Sequence, residues 1–321
     1  MKKFLRRFCS ISQIVLLIFV SFLTVRAVGE VDTTFNANLA NVGSGTIDRI
    51  TIQPDGKTII TGDFNTVSGV AVISCIVRLN TDGTLDTTFN APVITGLGQF
   101  RIESLAMQSN GKIIIGGEFQ RLDGVWRPGL ARLNSDGSAD TAFNTNPSLD
   151  TLGYVNDFKI YPDDKIIFCG VRAGGITVIT RLNADGSLNA ERTDLPSFRI
   201  GFTPDGKVVY SDGASTKVKR LNENLTNDNT FAQSLYNTAI YAITGQPDGK
   251  ILVGGNFSFV NGSAAPPLVR INTDGSVDVP FALNSDLPTV ERRLVVAFEP
   301  KWGPDFRALG RKRRHSATFG F

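Results

Sequence analysis

The chain has 321 residues, enough for one large β domain or two ordinary ones. Its 32 glycines and 14 prolines fit a turn-rich all-β protein and exclude a collagen-like or low-complexity chain. The formal charge of +3 misleads about partners. Residues 1–27 carry five basic residues and no acid, and residues 291–321 carry eight basic against three acidic, so the body between them is net acidic and a nucleic-acid partner is disfavoured.

At the amino end, Lys2, Lys3, Arg6 and Arg7 precede an apolar core, Ile14–Val20, that continues to Val25. Val25 and Ala27 offer small residues at the −3 and −1 positions of a cleavage site. The expectation is a signal peptide over 1–27 and an exported chain, secreted or in the cell envelope. The apolar run Ile11–Val25 falls short of the roughly 20 residues that span a bilayer, so no membrane span is expected after cleavage.

A repeated unit follows, cleanest between Ile47 and Asn90. Ile50 and Ile52 alternate with Thr51 and Gln53, and Pro54-Asp55-Gly56 turns the chain into Thr58–Thr61. Proline presets the first corner of a turn and glycine takes the positive φ that other residues resist. A second hairpin runs Ser74–Asn80, turns at Thr81-Asp82-Gly83 and ends in the tag Asp86-Thr87-Thr88-Phe89. Short alternating runs bounded by Asp-Gly predict two β-hairpins, hence four antiparallel strands per unit.

The first turn recurs at Gln108–Lys112, Tyr161–Lys165, Thr203–Lys207 and Gln246–Lys250. The second recurs behind Arg132-Leu133-Asn134, Arg181-Leu182-Asn183, Arg220-Leu221-Asn222 and Arg270-Ile271-Asn272. Tags close at Asp140–Phe143, Asp228–Phe231 and Asp278–Phe281, while the third unit has Asn189 and Arg192 in the Asp and Phe slots. A similar tag, Asp32–Phe35, opens the mature chain with no unit before it. The first-turn prolines or their equivalents are 55, 53, 42 and 43 residues apart, a period that predicts a β-propeller. The two short units lack the Gly-Gly-x-Phe segment after the second strand, which predicts trimmed loops and not a missing strand.

These repeats resemble the delta-sixty repeat family, a bacterial β-propeller repeat of exported proteins, from Asp32 to about Phe281. The resemblance implies the fold and little about activity. A sixth unit begins at Val295–Pro300 and then departs from the pattern. The domains expected are therefore a signal over 1–27, propeller repeats over 28–300, and a basic tail over 301–321 without fixed structure. The fold expected is all-β, a propeller of four-stranded antiparallel blades with five recognisable repeats and a degenerate sixth, its ring incomplete.

The only histidine, His315, lies in the tail, so Ser-His-Asp, Cys-His and His-zinc arrangements are excluded within the repeats. Gly56-Lys57-Thr58 lacks the upstream glycine of a phosphate-binding loop. Calcium is the strongest cofactor alternative, at Asn80/Asp82/Asp86, Asn134/Asp136/Asp140, Asn183/Asp185/Asn189 and Asn272/Asp274/Asp278. The turn itself accounts for the same residues, because Asn and Asp bond their own backbone there. The repeated Arg before Leu-Asn is expected to pair with the tag Asp as a structural ion pair. Cys75 and Cys169 read as small apolar core residues, with a single bridge between them left open. No catalytic, cofactor or metal residue is assigned. The function expected is a non-catalytic binding scaffold for a protein or glycan. The alternative is a propeller hydrolase or lyase using unpaired carboxylates at one end of the channel.

Overall fold

The computed structural model describes residues 39–40, 46–283 except 73, 97–99, 144–149, 194 and 213–215, and strands at 294–297, 307–311 and 316–320. The expected signal over 1–27, the leading tag Asp32–Phe35, Pro300 and His315 lie outside the described residues.

Each unit forms one antiparallel sheet. Unit 1 is Thr46–Ile52, Thr58–Asp63 and Ile76–Leu79; unit 2 is Arg101–Met107, Ile113–Glu118 and Leu130–Leu133. Unit 3 has four strands, Leu152–Ile160, Ile166–Arg172, Thr177–Leu182 and Leu188–Thr193. Unit 4 has Ser197–Phe202, Val208–Asp212, Lys217–Leu221 and Ser234–Leu235; unit 5 has Ile240–Gly245, Ile251–Gly255 and Leu268–Ile271. The strands are called a to d in order. The a strands of successive units lie side by side, so the sheets radiate from them as the blades of a propeller do.

The predicted turns hold. Gly56 has φ +83° and donates its N–H to Gln53 O, and Gly83 has φ +86° and donates to Asn80 O. The d strand departs from expectation in units 1, 2 and 5. It shrinks to single bridges, Leu79 to Leu85, Leu133 to Ala139 and Ile271 to Val277, because the tag turns back immediately after them. In unit 3, without that tag, strand d pairs with strand c from Val178–Thr193 to Leu182–Leu188.

Strand b is apolar without alternation. Thr58–Gly62, Ile113–Gly117, Ile166–Gly170 and Ile251–Gly255 are buried residue after residue. Both faces are covered, because the core lies between neighbouring sheets. One cluster joins Ile59 and Ile76 of unit 1 to Ile113 and Leu133 of unit 2, and another joins Ile167 and Ile179 of unit 3 to Ile200 and Val208 of unit 4.

Each a strand is bulged at the same slot, with the register shifting between Ile47 and Arg49, Ile102 and Ser104, Val155 and Asp157, Ser197 and Ile200, and Ile240 and Ala242. The bulge presses a backbone carbonyl against strand b. A Cβ on Gly117 would lie 2.1 Å from Arg101 O, and one on Gly170 2.5 Å from Tyr154 O. That contact explains the glycine-rich end of strand b.

The long units carry an extra hairpin between b and c: Thr66–Val67 with Val70–Ala71, Arg121–Leu122 with Val125–Trp126, and Phe259–Val260 with Ser263–Ala264. Their turns, Ser68-Gly69, Asp123-Gly124 and Asn261-Gly262, have positive φ at both residues, the two-residue type I′ geometry. The short units 3 and 4 lack this hairpin and keep four strands, as the trimmed-loop expectation requires.

Leu294–Ala297, Arg307–Arg311 and Ser316–Gly320 form a sixth antiparallel sheet. Of the tail expected over 301–321, only Arg307–Arg311 and Ser316–Gly320 are among the described residues. Arg307–Arg311 and Ser316–Gly320 are separated by four residues, close enough to pair as a hairpin once the second is read as a strand.

Candidate functional site

Four units build the same side-chain node at the end of the strands where the a–b and c–d turns lie. In unit 1, Asp86 Oδ2 accepts from Arg78 Nε at 2.7 Å and from Lys57 Nζ at 2.8 Å. Its Oδ1 accepts from Thr88 N and Thr88 Oγ1. The same geometry recurs at Asp140 with Arg132 and Lys112, Asp228 with Arg220 and Lys207, and Asp278 with Arg270 and Lys250. The tag phenylalanines Phe89, Phe143, Phe231 and Phe281 lie under the guanidiniums at 4.5–4.9 Å. Burial works against ionisation of Asp86 and Asp228, but their donors outweigh it and hold both carboxyls far below the usual range.

The node also fastens one unit to the next. Arg78 Nη1 donates to Ser135 O, Arg132 Nη1 to Ala184 O and Arg220 Nη1 to Thr273 O, each in the following unit's c–d turn. The expected Arg–Asp pair is therefore present in four units, and sequence reasoning missed its third member, the lysine. The signal was available: Lys57, Lys112, Lys207 and Lys250 hold one slot in the four units that carry the tag.

The c–d turn oxygens are occupied by the turn. Asp82 Oδ1 accepts from Thr84 N at 2.9 Å and Thr84 Oγ1 at 2.7 Å, while Asn80 Nδ2 donates to Thr84 Oγ1. Asp136, Asp185 and Asp274 repeat this with Ser138, Ser187 and Ser276. Those bonds lower the pKa of each aspartate. Among the described residues, no three His, Cys, Asp or Glu side chains gather as a metal site.

The bulged a strands bring together a polar row that the sequence did not announce, because its residue types differ from unit to unit. Arg49 Nη2 lies 3.5 Å from Glu103 Oε2. Asp157 accepts from Ser104 Oγ, Lys159 Nζ and the Ile200 N–H. Arg199 donates to the carbonyls of Tyr241 and Asn156. The row links units 1 to 5 in sequence. Its carboxylates Glu103 and Asp157 are both paired, and every carboxyl with a displaced pKa among the described residues is displaced downward.

Cys75 and Cys169 are free thiols. Burial pushes both up to about 12, so neither supplies a thiolate near neutral pH.

At the opposite end of the strands, the three extra hairpins pair with the connectors that enter strand a or its neighbour: Leu39–Ala40, Ile94–Thr95 and Tyr236. They expose Val70, Val125, Trp126 and Phe259. Arg121 lies 5.3 Å over the Trp126 ring, and Trp126 Nε1 donates to Asp150 O.

Three segments, residues 53–89, 108–143 and 246–281, match the family described as a domain of unknown function (DUF5122) beta-propeller. They coincide with units 1, 2 and 5, the three that carry both the tag and the extra hairpin. No curated protein matches the chain. Among solved structures, a catalytically inactive virginiamycin B lyase from Staphylococcus aureus with quinupristin is 15% identical, covering 89% of this chain and 87% of that one, with a TM-score of 0.53. The selenomethionine form of that lyase is 16% identical, with coverages of 88% and 87% and a TM-score of 0.52. A gluconolactonase from Xanthomonas campestris is 13% identical over 86% and 95%, with a TM-score of 0.48. At such identities the lyase structures share the fold alone.

Proposed function

We propose that this chain is a non-catalytic, exported β-propeller of the delta-sixty type, a scaffold that binds a protein or glycan through the face carrying the three extra hairpins. The observation that carries the reading is the recurrence of exposed apolar side chains, Val70, Val125, Trp126 and Phe259, on equivalent hairpins at one end of the strands. An Arg–Trp pair at a hairpin tip is the chemistry that binding surfaces favour. Loops on a rigid scaffold are also where recognition residues concentrate.

The paired state of Glu103 and Asp157 supports a non-catalytic reading over a hydrolase or lyase, which needs a carboxyl poised to exchange a proton near neutral pH. Export rests on the basic and apolar segments of residues 1–27. Among the described residues, no helix is long and apolar enough to cross a membrane.

The test compares the wild type with a Trp126→Ser, Phe259→Ser double variant on arrays of envelope glycans and surface proteins. The variant should keep its stability within about 0.5 kcal/mol per site and lose binding at least tenfold. Equal binding by both proteins would remove the hairpin face from consideration, and turnover of an arrayed glycan would replace the scaffold reading with the enzyme.

A further inference from the structure

We propose that the seam between units 3 and 4 binds a carboxylate, which supplies at the Arg181 guanidinium the negative charge that the tag aspartate brings in the other units. This site is at the turn end of the strands, away from the hairpins, and stands independently of the scaffold reading.

In units 1, 2, 4 and 5 an arginine and a lysine converge on one aspartate oxygen. Unit 3 keeps both cations, Arg181 and Lys165, but offers the neutral Asn189. Arg181 Nε donates to Asn189 Oδ1 at 2.8 Å, while Lys165 turns away to the exposed Asp163 at 2.5 Å. Arg181 makes no ion pair among the described residues.

The second substitution opens the site. Arg192 stands in the slot of the tag phenylalanine, so no tag ring covers the Arg181 guanidinium, which interacts with the Tyr161 hydroxyl. Arg192 Nη1 also takes over the fastening to the next unit, donating to Leu225 O at 3.0 Å and Asn227 Oδ1 at 2.9 Å. What remains is an open depression of about 470 Å³ lined by Arg181, Asn222, Glu223 and Asn224. Arg132 and Arg220 are 8% exposed, whereas Arg181 is half-buried and reachable.

A guanidinium fork pairs best with a planar carboxylate. The only acid lining the depression, Glu223, offsets part of the Arg181 charge, so the planar match to the guanidinium fork and not charge alone selects the ligand. The ligand class is therefore a carboxylate.

The experiment titrates the ¹⁵N-labelled full chain with sodium acetate against sodium chloride at constant ionic strength, following the Arg181 Nε–Hε resonance. A saturable shift with millimolar half-saturation is expected. Asn189→Asp should supply the missing carboxylate internally and weaken acetate binding at least tenfold; this variant is chosen because four units already fold with aspartate at the slot. Glu223→Gln should tighten binding several-fold. A linear, unsaturable response, an Asn189→Asp variant that still binds acetate like the wild type, or equally strong shifts with phosphate would each overturn the proposal.

Discussion

Unit 3 and its four tagged relatives hold their outer edges in different ways. Where the tag is present, a buried aspartate gathers Arg and Lys, joined in units 1, 2 and 4 by a threonine or backbone N–H, and the d strand shrinks to one bridge, with unit 4 adding a short strand after its tag. Where Asn189 replaces the aspartate, the backbone takes over, and strand d pairs along its length with strand c. A side-chain network and a hydrogen-bond ladder are thus interchangeable solutions to the same edge problem. The exchange also crosses the seam. The Phe89 ring in unit 1 presses on Gly137 of unit 2, where an added Cβ would meet the ring at 2.8 Å. At the equivalent seam Arg192 replaces the ring, and the following turn holds Leu225 in place of glycine, at φ +63° and buried.

The largest test of this contrast removes the aspartate itself. Asp140→Ala strands Arg132 in a site where both side chains are nearly inaccessible, and should destabilise the protein by about 3–5 kcal/mol in denaturant unfolding. Asn189→Ala in unit 3 should cost no more than about 0.5 kcal/mol. Equal losses would mean that the node is not what separates the units.

The same nodes set the acid limit. Asp86, Asp140, Asp228 and Asp278 have folded pKa values below the usual carboxylate value of about 3.9. Such groups contribute stability that is complete above the unfolded value and is lost as pH falls through the folded one. Stability should therefore be level with respect to these groups above about pH 5 and fall steeply below about pH 4. The Asp140→Ala protein should show a shallower fall, because one of its four linked groups is gone.

The seam yields a third test, smaller in size. Arg192→Phe should drive a ring into the space of Leu225 and cost about 1–3 kcal/mol by overpacking. Leu225→Gly in the same protein should recover much of that loss, giving a coupling energy of at least about 0.5 kcal/mol between the two sites. Strict additivity would show that ring and turn residue do not share the space.

Much of this was legible because it rests on local chemistry. Pro-Asp-Gly and Asn-x-Asp-Gly fix turns by φ preference and self-bonding, so the hairpins and the repeat period could be read directly. The Arg–Asp pair was legible because both residues recur. The polar row on the a strands was not, because Arg49, Ser104, Asp157, Arg199 and Ala242 share a slot and no chemistry. Nor was the shrinkage of strand d, which follows from the tag turning back directly after a single bridge. Strand b misled any reading by alternation, since its neighbours cover both of its faces. The sixth unit was legible only at its start, near Val295, because Lys301-Trp302-Gly303 replaces the Asp-Gly of the turn that should follow.

The smallest expected effect is that of calcium, and unit 3 serves as its internal control. A calcium ion takes six to eight oxygens. In the tagged units, Asp86 Oδ2 is already shared by Arg78 and Lys57, and its Oδ1 by Thr88, so an ion there would have to displace two cations. Asp82 Oδ1 is bonded within its own turn. Chelator, or calcium added in excess, should move the melting midpoint by less than about 1 °C, a shift too small to signal a kilocalorie of linked binding in a chain of this size. A saturable rise of several degrees would mean that these oxygens exchange their turn bonds for an ion. If that rise survived Asp86→Asn, a change that gives unit 1 the neutral amide of unit 3, the ion would be held without the tag aspartate of unit 1.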